Sequence, residues 1–203
     1  MLITLYGINN IGKSTQAKKL VERLEREGKT VKYIKYPVYE IKPTGRFLND
    51  FLRGGGVEQA AEAATEEELQ MWFALNRYQF EPTLKKWLAE GVIVVAEDYT
   101  GTGIAWGATK GVNLEWLEQL NKYLVREDLA ILLDGERFKE AVEEGHVHET
   151  NDEFMKRSRE VHLMLGEKYG WKKVQVTGGI EETAEKVYVM LDEYINLCII
   201  PSI

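Results

Sequence analysis

Cysteine and proline are scarce in this chain, and basic residues do not outnumber acidic ones. Its 203 residues include one cysteine, Cys198, and four prolines. A lone cysteine excludes an internal disulfide and a cysteine metal cluster, so we expect a reducing, cytoplasmic location. The formal net charge of -7 argues against duplex nucleic acid as a main partner, because such proteins carry a basic face.

Long apolar runs are also missing. The longest apolar run, "INLCIIPSI" at residues 195–203, is too short to cross a bilayer, so we expect no membrane partner. We interpret it as a tail that packs on the body or on a second subunit. Hydrophobic residues make up 44% of the chain, which is enough for a buried core. A single domain over residues 1–203 is therefore the prediction.

Short apolar segments alternate with helical patterns along the sequence. The apolar segments are short and mostly uninterrupted, which suits parallel strands that are covered on both faces. They lie at residues 2–6, 31–36, 92–97, 129–134 and 172–177. Helical patterns occupy residues 13–27, 65–89, 114–125, 152–169 and 180–196. This alternation predicts an α/β fold of three layers, with a doubly wound parallel sheet between helices.

The stretch "LYGINNIGKSTQ" matches the phosphate-binding pattern G-x-x-x-x-G-K-[ST]. Its glycines let backbone N–H groups surround an anion, while Lys13 reaches the β and γ phosphates and Ser14 binds Mg²⁺. The loop joins a predicted strand to a predicted helix, so the helix N-terminus faces the same phosphate. The pattern predicts an ATP-binding P-loop formed by Gly7, Asn9, Asn10, Ile11, Gly12, Lys13, Ser14 and Thr15.

A second pocket is needed for the phosphate acceptor, and three segments fall where the loops at strand ends converge. They are "KYPVYEIKPTGRFLNDFL", "MWFALNRYQF" and "AEDYTGTGIAWG". Phe73 and Arg77 are four residues apart, so they share one helix face on which a ring and a guanidinium can hold a flat base. The alternative is that Phe73 belongs to the core and Arg77 to a solvated surface.

Four segments follow one another along the chain: "YGINNIGKSTQAKKL", "KYPVYEIKPTG", "FALNRY" and "EDYTGTGIAWG". With these segments in this order, the chain resembles the thymidylate kinase family from residue 2 to about residue 177. The resemblance implies a P-loop NTPase fold of the nucleoside monophosphate kinase type. It has a five-stranded parallel sheet and a short lid at about residues 135–151. The resemblance also implies transfer of the ATP γ-phosphate to dTMP with Mg²⁺, by a homodimer.

The same resemblance assigns roles around the acceptor. It implies that Phe73 stacks on thymine and that Arg77 hydrogen-bonds an exocyclic oxygen of the base. Tyr99 and Trp106 are expected to wall the deoxyribose. The complete predicted acceptor site is Tyr36, Pro37, Tyr39, Phe73, Arg77, Asp98, Tyr99, Gly103 and Trp106.

Several family arginines are missing. The family's Asp-Arg-Tyr is Glu97, Asp98 and Tyr99 here, which reverses a charge near the acceptor phosphate. Glu97 keeps a carboxylate that we expect to serve Mg²⁺ together with Ser14. The predicted catalytic residues are Lys13, Glu97 and Arg157. Other cations that could replace the arginines are Lys35, Lys42, Arg46 and Arg159.

Two alternatives to a dTMP kinase follow from these departures. One is a kinase for another pyrimidine or modified deoxynucleotide, and the other is a nucleotide-binding regulatory protein with weak catalysis. The pair His146 and His148 could suggest a zinc site, but lid contacts or solvent exposure are favoured because further ligands are absent nearby.

Overall fold

Parallel strands between helices form the described part of the chain. The computed structural model describes residues 1–52, 64–136, 152–177 and 179–199. Five strands form one parallel sheet: β1 (Leu2–Tyr6), β2 (Val31–Lys35), β3 (Ile93–Glu97), β4 (Leu129–Asp134) and β5 (Lys172–Gln175). Their order across the sheet is β2-β3-β1-β4-β5. The predicted five-stranded parallel sheet is confirmed, with strand ends shifted by one or two residues.

Helices cover both faces of this sheet. In chain order they are α1 (Lys13–Arg26), α2 (Thr44–Leu52), α3 (Glu66–Ala89), α4 (Thr100–Thr109), α5 (Leu114–Asn121), α6 (Asp152–Tyr169) and α7 (Ile180–Ile199). One core cluster joins the sheet to α3, α4, α5 and α6, and a second joins it to α1 and α7. The prediction of three layers is confirmed. Within the described ranges, no helix is long and apolar enough to span a membrane.

Local signals in the sequence explain where the long helix begins and ends. The Thr65 side chain accepts a hydrogen bond from the Glu68 backbone at 3.2 Å, and the Glu68 side chain accepts one from the Thr65 backbone at 2.8 Å. This capping box satisfies N–H groups that the first turn of α3 leaves without partners. Gly91, with φ of 78°, follows the last turn. The helix continues through Pro82.

Helices α2 and α4 are absent from the sequence-based prediction, because their glycines are typical of loops. The structure shows that these glycines allow close packing. A β-carbon on Gly101 would lie 2.5 Å from the Trp171 ring, and one on Gly45 would lie 2.4 Å from the Tyr39 carbonyl oxygen. Both helices therefore approach their neighbours more closely than any larger residue permits.

Part of the predicted lid and tail lies outside the described residues. Residues 137–151, which include His146 and His148, and residues 200–203 belong to that part. The single-domain prediction and the roles of the lid and of the apolar tail stay predictions.

Candidate active site

The loop between β1 and α1 curls in the way that the glycine pattern predicts. Gly7, Asn10 and Gly12 have positive φ angles of 138°, 61° and 95°. Larger residues adopt such angles with strain, and a β-carbon on Gly7 would lie 2.6 Å from the Leu133 carbonyl oxygen. The loop can therefore follow a phosphate closely with its backbone, and α1 begins directly after it at Lys13.

Lys13 is held inside this loop. Its side chain is 5% exposed, and Nζ donates to the carbonyl oxygens of Gly7 and Ile8, both at 3.0 Å. Nζ also lies 3.5 Å from Asp98 Oδ1. The loop thus fixes a buried positive charge at the N-terminus of α1. The oxygens of a bound triphosphate can replace the two carbonyl oxygens as partners of Nζ.

Glu97 ends β3 directly beside the loop. Ser14 Oγ donates to its Oε1 at 2.8 Å, and the Tyr33 hydroxyl donates to its Oε2 at 2.6 Å. Lys35 Nζ lies 3.1 Å from Oε1. Burial favours the protonated form, but the charges of Lys13 and Lys35 and these hydrogen bonds outweigh it and lower the pKa of Glu97. The site therefore keeps an ionised carboxylate next to the Ser14 hydroxyl.

Asp98 forms a salt bridge with Lys13. Its backbone has a φ of 61°, and its Oδ1 accepts a hydrogen bond from Thr102 Oγ1 at 3.1 Å. Burial raises the pKa of Asp98, Lys13 opposes the rise, and the charge of Glu97 adds to it. Asp98 and Glu97 are thus both influenced by the charge of the P-loop lysine, yet their pKa values shift in opposite directions.

Arg77 is buried on the cleft face of α3. It is 3% exposed, and its Nε donates to Asn121 Oδ1 at 3.1 Å. Nη2 is buried and has no hydrogen-bond partner in the described structure. A β-carbon on Gly103 would lie 2.8 Å from Nη2, so the glycine makes room for the guanidinium. Desolvation lowers the pKa of Arg77 to about 10, and the side chain still carries its charge at neutral pH.

Asn76 fixes the loop that follows β2. Its Oδ1 accepts from the Val38 backbone at 2.8 Å, and its Nδ2 donates to the Val38 carbonyl at 2.9 Å and to Thr44 Oγ1 at 3.0 Å. Tyr36 lies in this loop, is 3% exposed, and has a buried hydroxyl with no partner among the described residues. Asn76 therefore positions the loop against the same helix that carries Arg77.

One cleft of about 520 Å³ joins the phosphate loop to this second region. Phe73, which is partly exposed, faces the cleft and so does not belong to the closed core. Most predicted site residues line this cleft: Asn9, Asn10, Gly12, Lys13, Ser14, Thr15, Tyr36, Pro37, Tyr39, Phe73, Arg77, Glu97, Asp98, Gly103 and Trp106. The structure thus brings together residues that are up to 97 positions apart in the sequence.

Four predicted residues do not line the cleft. Tyr99 is fully buried, its hydroxyl donates to the Val125 carbonyl, and its ring packs 5.1 Å from that of Tyr36. It supports Tyr36 from behind and cannot wall a sugar in this arrangement, which corrects the prediction. Gly7 and Ile11 belong to the loop but do not line the cleft, and Ile11 lies in the core. Arg157 is exposed on α6, and its catalytic role stays a prediction.

The sequence-based prediction missed residues that hold the site together. Tyr33, Asn76 and Asn121 orient Glu97, the loop after β2 and Arg77. A signal existed for Asn76, because it lies beside Arg77 in "FALNRY" and an asparagine there is unusual on a helix face that packs inward. Asn121 and Tyr33 are distant in sequence from the groups they contact, and the sequence offers no comparable signal.

The cleft contains a phosphate loop, a buried lysine beside a carboxylate, and a separate wall with an aromatic ring and a guanidinium. These features define a P-loop phosphotransferase with two substrate regions. Comparison with known proteins narrows the class. A sequence model of the family "Thymidylate kinase" matches residues 5–187. The chain therefore belongs to the thymidylate kinase family, whose members are ATP-dependent phosphotransferases.

Individual relatives agree with this assignment. The chain is 30% identical over 200 residues to "Thymidylate kinase" of Homo sapiens, covering 96% of this chain and 91% of the human one. It is 32% identical over 183 residues to "Probable thymidylate kinase" of Thermococcus kodakarensis, covering 86% and 88%. The solved thymidylate kinase from Candida albicans superposes with a TM-score of 0.76, 22% identity and coverage of 96% and 92%. That superposition confirms the predicted fold type.

Proposed function

We propose that this protein transfers the γ-phosphate of ATP to dTMP and produces dTDP and ADP. The observation that carries the proposal is one cleft that is lined both by Lys13 and its loop and by Phe73 and Arg77. A triphosphate in the loop and a flat base beside Phe73 would place the two phosphates toward each other. Membership of the thymidylate kinase family supports dTMP as the acceptor.

The chemistry requires little covalent help from the protein. An acceptor phosphate oxygen attacks the γ-phosphorus in line, one P–O bond forms, and the bond to the ADP oxygen breaks. The attacking oxygen is already anionic, so no strong general base is needed. Lys13 exchanges its contacts with the Gly7 and Ile8 carbonyl oxygens for the β and γ oxygens and neutralises charge that develops there.

Ser14 and Glu97 fit a magnesium ion. Mg²⁺ prefers oxygen ligands and usually binds through one or two protein groups, with phosphate oxygens and water completing its shell. A hydroxyl and an ionised carboxylate 2.8 Å apart beside the phosphate loop supply such oxygens. When bound, the ion neutralises the β and γ oxygens. Within the described ranges, no group of three or more His, Cys, Asp or Glu residues favours a different metal.

The acceptor phosphate needs cations to offset the carboxylates of Glu97 and Asp98. Of the described residues, the cations that line the cleft are Lys13, Lys35, Arg77 and Lys110. Lys35 is 45% exposed and lies 3.5 Å from Ser14 Oγ, so it is close to the reacting phosphates and has room to move. We assign it the role of the missing acceptor-site arginine. Lys110 pairs with Glu66 at the far rim.

A second candidate function is phosphorylation of another pyrimidine or modified deoxynucleotide. The observation in its favour is the Asp98 carboxylate in the cleft, which repels a dianionic phosphate where the family arginine would attract it. A nucleotide-binding regulatory protein is less compatible with the buried Lys13 and its intact loop.

The acceptor panel is the direct test. The protein is incubated with MgATP and separate deoxynucleoside and nucleoside monophosphates, and ADP release is measured for each. The highest kcat/KM with dTMP supports the proposal, and a different best acceptor supports the second candidate. Nucleotide binding without turnover supports a regulatory protein. A Lys13→Ala variant in parallel assigns the ADP to this site.

We also propose a homodimer in the cytoplasm. Met71 and Leu75 lie one turn apart on α3 and are 45% and 49% exposed, which makes an apolar surface that a second copy can cover. The expected result is a dimer in light scattering that Leu75→Glu converts to monomer. The matched control is Val189→Glu on α7, where Val189 is 45% exposed. A monomeric unmodified protein contradicts the proposal.

A further inference from the structure

Gln70 is a polar side chain that the proposed mechanism does not use. It is 3% exposed and lines the cleft from α3, one turn before Phe73 and two turns before Arg77. Residues with these spacings share one face of a helix. The amide therefore lies on the same wall as the ring and the guanidinium that we place against the base.

Among the described residues, the Gln70 amide has no hydrogen-bond partner. None of the hydrogen bonds between described residues involves its side chain, and its atoms are not sealed away from the cleft. The amide carbon lies close to α4, since a β-carbon on Gly107 would be 3.2 Å from it. An amide that is nearly buried but reachable from the cleft can have its hydrogen bonds supplied by a ligand there.

A second unsatisfied group points to the same ligand chemistry. Arg77 Nη2 is buried and has no partner in the described structure. A guanidinium only donates hydrogen bonds, whereas an amide both donates and accepts. An imide edge, with one N–H between two carbonyl oxygens, matches this pair, because Arg77 can donate to one carbonyl and Gln70 can accept from the N–H.

We propose that Gln70 reads the imide edge of the acceptor base and is a specificity-determining residue for pyrimidines with a protonated N3. This inference rests on the proposed function, since it assumes a base beside Phe73. Arg77 selects a carbonyl at the exocyclic position, and Gln70 accepts a hydrogen bond from N3–H. A site built around such hydrogen bonds rejects a base that lacks them more strongly than an apolar pocket does.

The test compares the unmodified protein and one variant, each with the natural substrate and with one modified substrate. Gln70→Met keeps the length and volume of the side chain and removes both hydrogen-bonding groups. KM and kcat are measured at saturating MgATP with dTMP and with N3-methyl-dTMP, which lacks the N3 hydrogen. Gln119→Met is the control, because Gln119 is exposed on α5 and outside the cleft.

We expect Gln70→Met to raise KM for dTMP by about three- to tenfold, the effect of one net hydrogen bond, with kcat changed by less than about twofold. Methylation of N3 should raise KM more for the unmodified protein than for the Gln70→Met variant. An equal rise of KM in both proteins on N3-methylation, or an unchanged KM of the variant for dTMP, overturns the role of Gln70. Absence of any dTMP turnover by the unmodified protein overturns the proposed function, and this inference with it.

Discussion

Replacing Gly103 by alanine displaces the guanidinium of Arg77, and the structure gives the size of the displacement. The new β-carbon would lie 2.8 Å from Nη2 and 3.0 Å from Nη1. An ordinary contact begins near 3.4 Å, so the guanidinium must retreat by about 0.6 Å. It cannot simply rotate away without cost, because Nε is bound to Asn121 and the side chain is 3% exposed.

A hydrogen bond from a charged donor contributes about 1.5–3 kcal/mol, so Gly103→Ala should raise KM for dTMP by about 10- to 100-fold. The KM for ATP should change little, since Lys13 and Ser14 of the P-loop are held by other residues. Steady-state kinetics with each substrate varied in turn measure both values. Gly179→Ala is the control, because a β-carbon there meets nothing within 4 Å. An unchanged KM for dTMP in a folded Gly103→Ala protein refutes the position assigned to Arg77.

Three further predictions concern Lys13, Asn76 and His162. Lys13→Ala should lower kcat by at least about 10³-fold and leave the circular dichroism spectrum unchanged; near-normal turnover contradicts its role. Asn76→Ala should lower the free energy of unfolding in urea by about 2–4 kcal/mol and raise KM for dTMP, because three buried hydrogen bonds are lost; a loss below about 1 kcal/mol contradicts this. Burial lowers the pKa of His162 to about 4 from 6.5, so between these values the unfolded chain binds a proton that the folded chain does not. The free energy of unfolding should thus be about 2 kcal/mol lower at pH 5 than at pH 8, and His162→Asn should remove this part of the difference.

The three central strands, β3, β1 and β4, were predictable because each is a short apolar run that is buried on both faces. β1 and β4 are buried at every position, and their predicted bounds are confirmed. The helix α4 was not predictable in the same way. Its glycines contact Trp171, Arg77 and Leu117, which are remote in sequence, and only these contacts distinguish close packing from a loop.

The candidate site likewise has parts that the sequence predicts and parts that it does not. The P-loop pattern predicts its own geometry, because glycine spacing and positive φ angles are local properties. The position of Tyr99 depends on long-range packing against Tyr36 and on a hydrogen bond to the Val125 carbonyl. The expectation from the family resemblance, that Tyr99 lines the cleft, was therefore wrong. The orientation of Arg77 likewise depends on Asn121, which lies 44 residues further on.

The proposed reaction requires that one cleft presents the terminal phosphate of ATP to a nucleotide held against Phe73. A crystal structure of the protein with dTMP and a non-hydrolysable ATP analogue, in the presence of Mg²⁺, would show whether it does. We predict that the thymine ring lies on Phe73 with an exocyclic oxygen at Arg77, and that the γ-phosphate contacts Lys13. A thymine bound elsewhere, or a triphosphate outside the loop of residues 7–14, contradicts the account.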